Sequence, residues 1–199
     1  MIKIILFDGD GVIINKPMLF SQHLSNDYNV PMDLILPFFA GEFQDCLVGK
    51  ADLKEVVKPY LSKWGWIKSV DELLAYWFNN ENYIDKRIAG VISKIRKEGI
   101  KCYLHSNQEK YRTDFMKKQM KIDAMVDGVF SSAYLGVKKP QAEFWQQAFD
   151  KIQPVKKSEV LVWDDDEENI ASAAKFGFNA ELYKDYSSFN QVMSKYKNK

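Results

Sequence analysis

Short apolar segments that alternate with helical segments constrain the fold of this chain more than any other feature. Segments of strand length occur at Ile2–Phe7, Lys101–His105, Asp127–Ser131, Val160–Trp163 and Asn179–Leu182. From residue 84 onward, apolar residues recur at helical spacing between these segments. Strands that alternate with helices predict a parallel sheet covered by helices on both faces. We therefore predict an α/β fold whose parallel sheet has about five strands.

Residues 16–83 interrupt this alternation. Their periodicity is helical throughout, and Pro and Gly residues divide them into about four short helices. We predict that residues 1–15 and 84–199 form the core, and that residues 16–83 form an all-helical insertion over the carboxyl edge of the sheet.

The charge balance excludes several classes of partner. The chain has 28 Lys and Arg against 27 Asp and Glu, so its net charge is +1. This balance gives no reason to expect nucleic acid or an anionic membrane as a partner. No segment reaches the roughly 20 apolar residues of a membrane span, and two distant cysteines do not indicate a disulfide framework. We expect a cytoplasmic protein that is a monomer or a weak dimer.

Two carboxylates directly follow the first strand. Asp8 and Asp10 are separated by Gly9 and followed by Gly11. Ligands bind just outside the carboxyl ends of parallel strands, and glycines let the backbone approach a ligand closely. The same residues also suit an ordinary surface turn. This segment alone leaves a metal-and-reaction site and a turn as alternatives.

Candidate phosphate-binding groups follow later in the chain. Ser106 and Asn107 end the second strand, where a hydroxyl and backbone N–H groups can hold phosphate oxygens. Both residues also suit the N-cap of the next helix. Lys139, directly before Pro140, offers a compact positive charge, and we prefer it over Lys138. A solvated surface lysine is the alternative.

An acidic run follows the fourth strand. Asp164 and Asp165 lie at the strand edge, whereas the acids after them suit a helix N-terminus. If this strand neighbours the first, four carboxylates gather there and repel one another. A bound cation resolves the repulsion, and oxygen ligands favour Mg²⁺. Asn169 lies one helical turn after Asp165 and can reach back toward the site.

Together these segments resemble the motifs of the haloacid dehalogenase superfamily. In chain order the motifs are Asp8-x-Asp10-Gly-Val, Ser106-Asn107, Gly-x-x-Lys139-Pro140 and Asp164-Asp165-x-x-x-Asn169. The resemblance spans nearly the whole chain and implies a Rossmann-like core with a helical type 1 cap at residues 16–83. Length and layout resemble the small sugar-phosphate phosphatases of this group.

The resemblance implies a role for each motif residue. Asp8 would attack phosphorus and form an aspartyl-phosphate, and Asp10 would protonate the leaving oxygen and later deprotonate water. Ser106 would hydrogen-bond the transferring phosphoryl group, with Asn107 also in the substrate-binding set. Lys139 would offset negative charge on Asp8 and on the phosphate.

The same resemblance implies a magnesium site. Mg²⁺ would be held by the Asp8 carboxylate, the Asp10 backbone carbonyl and Asp165, with Asp164 as a direct ligand or as a partner of the ligands. The substrate would be a small phosphorylated metabolite.

Three further residues stand out. Lys50 follows Gly49 in a predicted loop of the insertion and could reach the substrate. His105 and Trp163 occupy positions where the family more usually has an aliphatic and a smaller apolar residue. We interpret His105 as a buried, hydrogen-bonded histidine. The aromatic residues of the insertion are interpreted as the core of a small helical bundle.

The motifs leave four functions open. A phosphatase acting on a sugar phosphate or similar metabolite is favoured. A phosphomutase of the β-phosphoglucomutase type would use the same residues. A 2-haloacid dehalogenase is less favoured, because departure of a halide needs no acid such as Asp10. A binding module without catalysis is disfavoured, because no catalytic position is lost.

Overall fold

The computed structural model describes residues 1–197 and contains one five-stranded parallel sheet with the order β3-β2-β1-β4-β5. The strands are β1 (Ile4–Asp8), β2 (Lys101–Ser106), β3 (Gly128–Ser131), β4 (Val160–Asp164) and β5 (Asn179–Leu182). Every neighbouring pair is parallel. The predicted α/β fold with a Rossmann-like sheet is therefore confirmed.

Helices cover both faces of the sheet and account for most of residues 16–83. In the described part of the chain they are α1 (Phe20–Tyr28), α2 (Met32–Ala40), α3 (Phe43–Leu47), α4 (Leu53–Val57), α5 (Val70–Asn80), α6 (Lys86–Lys97), α7 (Lys110–Lys118), α8 (Ile122–Met125), α9 (Ser132–Leu135), α10 (Ala142–Lys151), α11 (Glu167–Phe176) and α12 (Tyr186–Lys197). Short 3₁₀ turns lie at Lys58–Tyr60 and Lys157–Glu159. None of the helices within residues 1–197 has the length and apolar character needed to cross a bilayer.

The central strand β1 is buried on both faces because helices cover both sides of the sheet. Ile5 and Phe7 belong to one apolar layer, whereas Ile4 and Leu6 belong to the layer on the opposite face. Side chains alternate across a strand, so this division follows directly from the sequence Ile-Ile-Leu-Phe. A strand without a polar face is typical of a parallel sheet between two helical layers.

Residues 16–83 have an apolar core of their own. Helices α1 to α5 surround a cluster in which Phe20 stacks on Trp77 at 4.5 Å between ring centroids, and Phe38 meets Trp64 edge-on at 5.4 Å. That residues 16–83 form a domain separate from the core of residues 1–15 and 84–199 stays a prediction. The predicted core ends at Lys199, and residues 198–199 lie outside the described part of the chain.

The two chain segments that enter and leave the insertion run side by side next to the end of β1. Ile14 pairs with Ile84 in an antiparallel bridge, and Asn15 N donates to the Tyr83 carbonyl at 2.9 Å. Asp85 N donates to the Ile13 carbonyl at 2.9 Å. Both segments therefore place the insertion beside the carboxyl end of the sheet.

Candidate active site

A polar cavity lies at the carboxyl edge of the sheet, where the order of the strands changes direction. The register sets Asp8 opposite His105 on β2 and Phe7 opposite Trp163 on β4, so Asp8 and Asp164 end neighbouring strands at one level. The cavity measures about 420 Å³ and is lined by five aspartates and two lysines. Ligand sites in open α/β sheets occur at such a change in strand order.

A tight turn after β1 brings the first and last motifs together. Ile14 N donates to the Gly9 carbonyl at 2.7 Å, and Gly11 N donates to the Ile14 carbonyl at 2.9 Å. Gly11 has φ +86°, and a Cβ atom at this position would lie 2.1 Å from Oδ2 of Asp165. The Asp165 carboxylate therefore lies against the Gly11 backbone, in space that only glycine leaves open.

Lys139 is buried between two carboxylates. Its Nζ donates to Oδ1 of Asp8 at 2.8 Å and to Oδ2 of Asp164 at 2.6 Å. Burial by itself lowers the pKa of Lys139, but the two carboxylates outweigh it and the net pKa is raised. The ammonium therefore stays charged beside Asp8.

Asp164 is fully buried and holds this lysine in place. Its Oδ1 accepts from the backbone N–H of Asp166 at 2.9 Å, and the Asn169 side chain donates to both of its oxygens at 3.1 and 3.2 Å. Asp166 in turn caps α11 by accepting from the N–H groups of Glu168 and Asn169. Asp164 thus acts on Asp8 through Lys139. Of its two predicted roles, direct metal ligand or partner of the ligands, this arrangement favours the second.

Excess negative charge at the cavity makes it suited to a cation. Burial raises the pKa of Asp8 well above its usual value, and Asp164 and Asp10 add to the rise although Lys139 opposes it. Burial, with Asp164 next, also raises the pKa of Asp165, which lines the same cavity as Asp8. Carboxylate oxygens held together in this way fit a hard divalent cation such as Mg²⁺. Asp8, Asp10 and Asp165 therefore have the donor chemistry that Mg²⁺ needs, and their assignment as its ligands stays a prediction.

A second grouping of possible ligands involves His105. One atom each from Asp8, His105 and Asp164 lies within 4.8 Å of the others. Lys139 Nζ contacts Asp8 and Asp164 there, so a cation bound by the same trio would have to displace a buried ammonium. Oxygens of Asp8 and Asp165 suit a hard cation better than this set.

His105 is a buried structural residue, as predicted. Its Nε2 lies 3.2 Å from the Trp163 carbonyl, so this nitrogen carries the proton and donates. Burial, with the charge of Lys139 next, lowers the pKa of His105 well below its usual value. The imidazole is therefore neutral and links β2 to β4 beneath the site.

Asp10 is positioned by two residues that sequence reasoning missed. Gln108 Nε2 donates to Oδ2 of Asp10 at 2.6 Å, and Lys16 Nζ approaches the same oxygen at 3.1 Å. Oδ1 is buried and has no hydrogen-bond partner among the described residues. Gln108 could have been found, since it directly follows Ser106-Asn107 at the strand end. Lys16 could not have been found in this way, because its closeness to Asp10 depends on how the turn after β1 folds the chain back.

The remaining predicted residues are divided between the cavity and the surface. Ser106 is buried and lines the cavity, with Oγ 3.0 Å from where a Cβ of Gly9 would be. Asn107 also lines it, but its side chain is bonded to the backbone of Lys139: Nδ2 donates to the carbonyl at 3.0 Å, and Oδ1 accepts from N–H at 2.9 Å. Asn107 therefore orients the lysine loop.

Lys50 is the one predicted residue that the structure does not bring to the cavity. It is exposed and is not among the residues that line the cavity. The preceding Gly49 lies against the Ala133 carbonyl, so this loop packs on α9. The prediction from sequence could not include this contact, because it depends on how the insertion packs on the core.

Solved structures share this fold over nearly the whole chain. One is a haloacid dehalogenase family enzyme from Bacteroides thetaiotaomicron in complex with magnesium and inorganic phosphate, with 20% identity, 95% and 99% of the two chains covered and a TM-score of 0.79. A second, from Porphyromonas gingivalis, is described as a predicted family hydrolase, with 19% identity, coverage of 100% and 99%, and a TM-score of 0.81. A third is a dehalogenase in an intermediate complex, with 16% identity, coverage of 92% and 85%, and a TM-score of 0.67.

A family model provides stronger evidence than these distant structures. Residues 2–177 match the model described as a haloacid dehalogenase-like hydrolase. This match includes every motif named above, from Asp8 to Asn169. The chain belongs to the family of haloacid dehalogenase-like hydrolases.

Proposed function

We propose that this chain is a Mg²⁺-dependent phosphatase that hydrolyses a small phosphomonoester through an aspartyl-phosphate at Asp8. One observation carries the proposal: buried Lys139 bonds Asp8 at 2.8 Å in a cavity that also contains Asp10 and Asp165. Phosphoryl transfer depends mainly on positioning and on charge neutralisation, and this arrangement supplies both. The magnesium and phosphate bound to the related Bacteroides enzyme support the choice of metal and of group transferred.

In the first step an oxygen of Asp8 forms a bond to phosphorus while the bond from phosphorus to the alcohol oxygen breaks. Lys139 and the Gly9 N–H both donate to Oδ1 of Asp8 at 2.8 Å, which fixes the plane of the carboxylate. Asp10 gives its proton to the departing alcohol. Its Oδ2 accepts from Gln108 at 2.6 Å and lies 3.1 Å from Lys16, and these contacts hold the carboxyl group at the cavity.

In the second step a water molecule attacks phosphorus and Asp10 takes its proton. The bond between phosphorus and Asp8 breaks, which releases phosphate and the free carboxylate. Ser106 and Lys139 bind the phosphoryl oxygens through both steps. Mg²⁺, held by Asp8, Asp165 and the Asp10 carbonyl, would neutralise charge on the phosphate and on the cluster.

The held position of Asp10 favours this function over dehalogenation. A halide leaves without a proton, whereas an alcohol oxygen needs one, and Gln108 and Lys16 fix a carboxyl group for that purpose. The phosphomutase alternative uses the same residues. It predicts an isomerised product when the assay is primed with a bisphosphate.

The test is release of inorganic phosphate from small phosphomonoesters with Mg²⁺ present. Asp8→Asn should lower kcat by about 1,000-fold or more, because the amide cannot attack phosphorus. Asp185→Asn is the matched control, since Asp185 is exposed, accepts from the Ser188 N–H at 2.8 Å and does not line the cavity, and it should stay within about threefold of wild type. Equal activities of wild type and Asp8→Asn would overturn the proposal.

A further inference from the structure

A second cavity continues the candidate active site toward the helical insertion. It measures about 300 Å³ and shares Asp10, Lys16, Leu19 and Asn107 with the catalytic cavity. A phosphomonoester whose phosphate lies at Asp8 would extend its alcohol portion past Asp10, and thus into this second cavity. We call it the alcohol cavity.

Hydrocarbon forms most of its wall. Seven apolar side chains line it, namely Leu19, Phe20, Leu36, Phe39, Phe43, Leu47 and Trp77. The aromatic rings are held by one another: Phe39 meets Trp77 edge-on at 5.5 Å between ring centroids, and Phe43 lies 5.5 Å from Trp77. The wall is therefore a fixed aromatic surface of the kind that binds apolar groups.

Two leucines at this cavity are unusually exposed. Leu19 and Leu36 are 50% and 49% exposed, although the aromatic cluster behind them is buried. An apolar ligand group placed against them would remove this hydrocarbon from water, which favours binding.

The charged side chains at the base of the alcohol cavity use most of their hydrogen-bonding atoms on one another, apart from Oδ1 of Asp10. Glu81 accepts from the Phe20 N–H at 2.7 Å and from Lys16 at 3.1 Å, and Lys16 also contacts Asp10 at 3.1 Å. Gln108 donates to Asp10 as well. A sugar bound here would bury several hydroxyl groups beside side chains whose hydrogen bonds are mostly made to one another. Buried hydroxyls without partners would raise the free energy of binding.

We propose that the alcohol portion of the substrate is apolar, a single aromatic ring or a branched hydrocarbon of similar size, rather than the sugar that the sequence resemblance implies. This inference rests on the proposed phosphatase activity. An apolar cavity of about 150 Å³ is enough for benzene in another protein, so the space here accommodates one ring and a short linker. Leu36, Phe39 and Trp77 are the residues that select it.

The experiment compares kcat/KM for 2-phenylethyl phosphate, ethyl phosphate and glucose 6-phosphate with Mg²⁺ present. All three are phosphates of primary alcohols, so leaving-group reactivity does not dominate the comparison, as it would with a nitrophenyl ester. We expect kcat/KM for the phenylethyl ester to exceed both others by about 10-fold or more.

Two variants of exposed leucines on α2 localise the effect. Leu36→Gln should lower the ratio of phenylethyl to ethyl activity by about fivefold or more, because Leu36 lines the alcohol cavity. Leu34→Gln is the matched control: Leu34 is 45% exposed on the same helix but does not line the cavity, so the ratio should not change.

Each contrary outcome has a distinct meaning. Equal or higher kcat/KM for glucose 6-phosphate would overturn the inference while leaving the phosphatase proposal intact. Equal effects of Leu36→Gln and Leu34→Gln would overturn the assignment of the apolar group to this cavity. Release of phosphate from none of the three esters would overturn the proposed function and this inference with it.

Discussion

Replacing Gly11 with alanine should displace the Asp165 carboxylate, and the resulting loss of activity can be distinguished from the loss of stability that backbone strain causes. A Cβ at residue 11 would lie 2.1 Å from Asp165 Oδ2, and ordinary contacts begin at 3.4 Å. The carboxylate must therefore retreat by about 1 Å or more, a displacement that can cost a hundredfold in rate when it misplaces a reacting group. We expect kcat/KM for Mg²⁺-dependent phosphate release to fall by about 100-fold.

Gly99→Ala is the control for backbone strain. Gly99 has φ +87°, against +86° for Gly11, and no atom of residues 1–197 beyond its chain neighbours lies within 4 Å of the added Cβ. Alanine in this left-handed region costs about 1–2 kcal/mol at either site. Urea unfolding with chelator present should therefore show similar losses, while phosphate release falls only in Gly11→Ala. Activity of Gly11→Ala close to that of Gly99→Ala would refute the placement of Asp165.

Three further predictions concern charge. Lys139→Met leaves the carboxylates of Asp8 and Asp164 buried without the ammonium that pairs with them. The free energy of unfolding should therefore fall by about 3 kcal/mol, measured by urea unfolding, and kcat for phosphate release should fall by about 100-fold or more. An unchanged kcat would contradict the role of the lysine. Burial raises the pKa of Glu109 from 4.5 to about 7 in the folded state, so its contribution to stability is complete below pH 4.5 and is lost as the pH rises through 7. Relative to Glu109→Gln, wild type should thus lose about 3 kcal/mol of unfolding free energy between pH 4.5 and 8, and a constant difference between the two proteins would refute this. Chelation of Mg²⁺ should abolish phosphate release and added Mg²⁺ should restore it, whereas undiminished activity in chelator would exclude the metal site.

Local patterns made the sheet and the main residues of the site predictable. Strands β1 and β4 are continuous apolar runs that end in acids, so both their positions and their polar ends can be read from the sequence. Parallel pairing then brings Asp8 and Asp164 to one edge without further information.

Contacts that depend on packing between distant segments could not be predicted in the same way. Lys16 reaches Asp10 only because the turn at Gly9–Ile14 folds the chain back, and Glu81 joins them from the far end of α5. Lys50 was predicted to face the substrate, but its loop packs toward Ala133. The spacing of apolar and polar residues within one segment does not show whether a side chain such as Lys50 will face the substrate or pack against another part of the protein.

A rapid acid quench during turnover of a phosphomonoester, followed by mass spectrometry of the peptide that contains Asp8, tests directly whether Asp8 attacks phosphorus. Wild type should yield a peptide heavier by one phosphoryl group, with the added mass on Asp8, and Asp8→Asn should yield none. Phosphate release without any such species in wild type, or with the phosphoryl group on another residue, would show that Asp8 is not the attacking group.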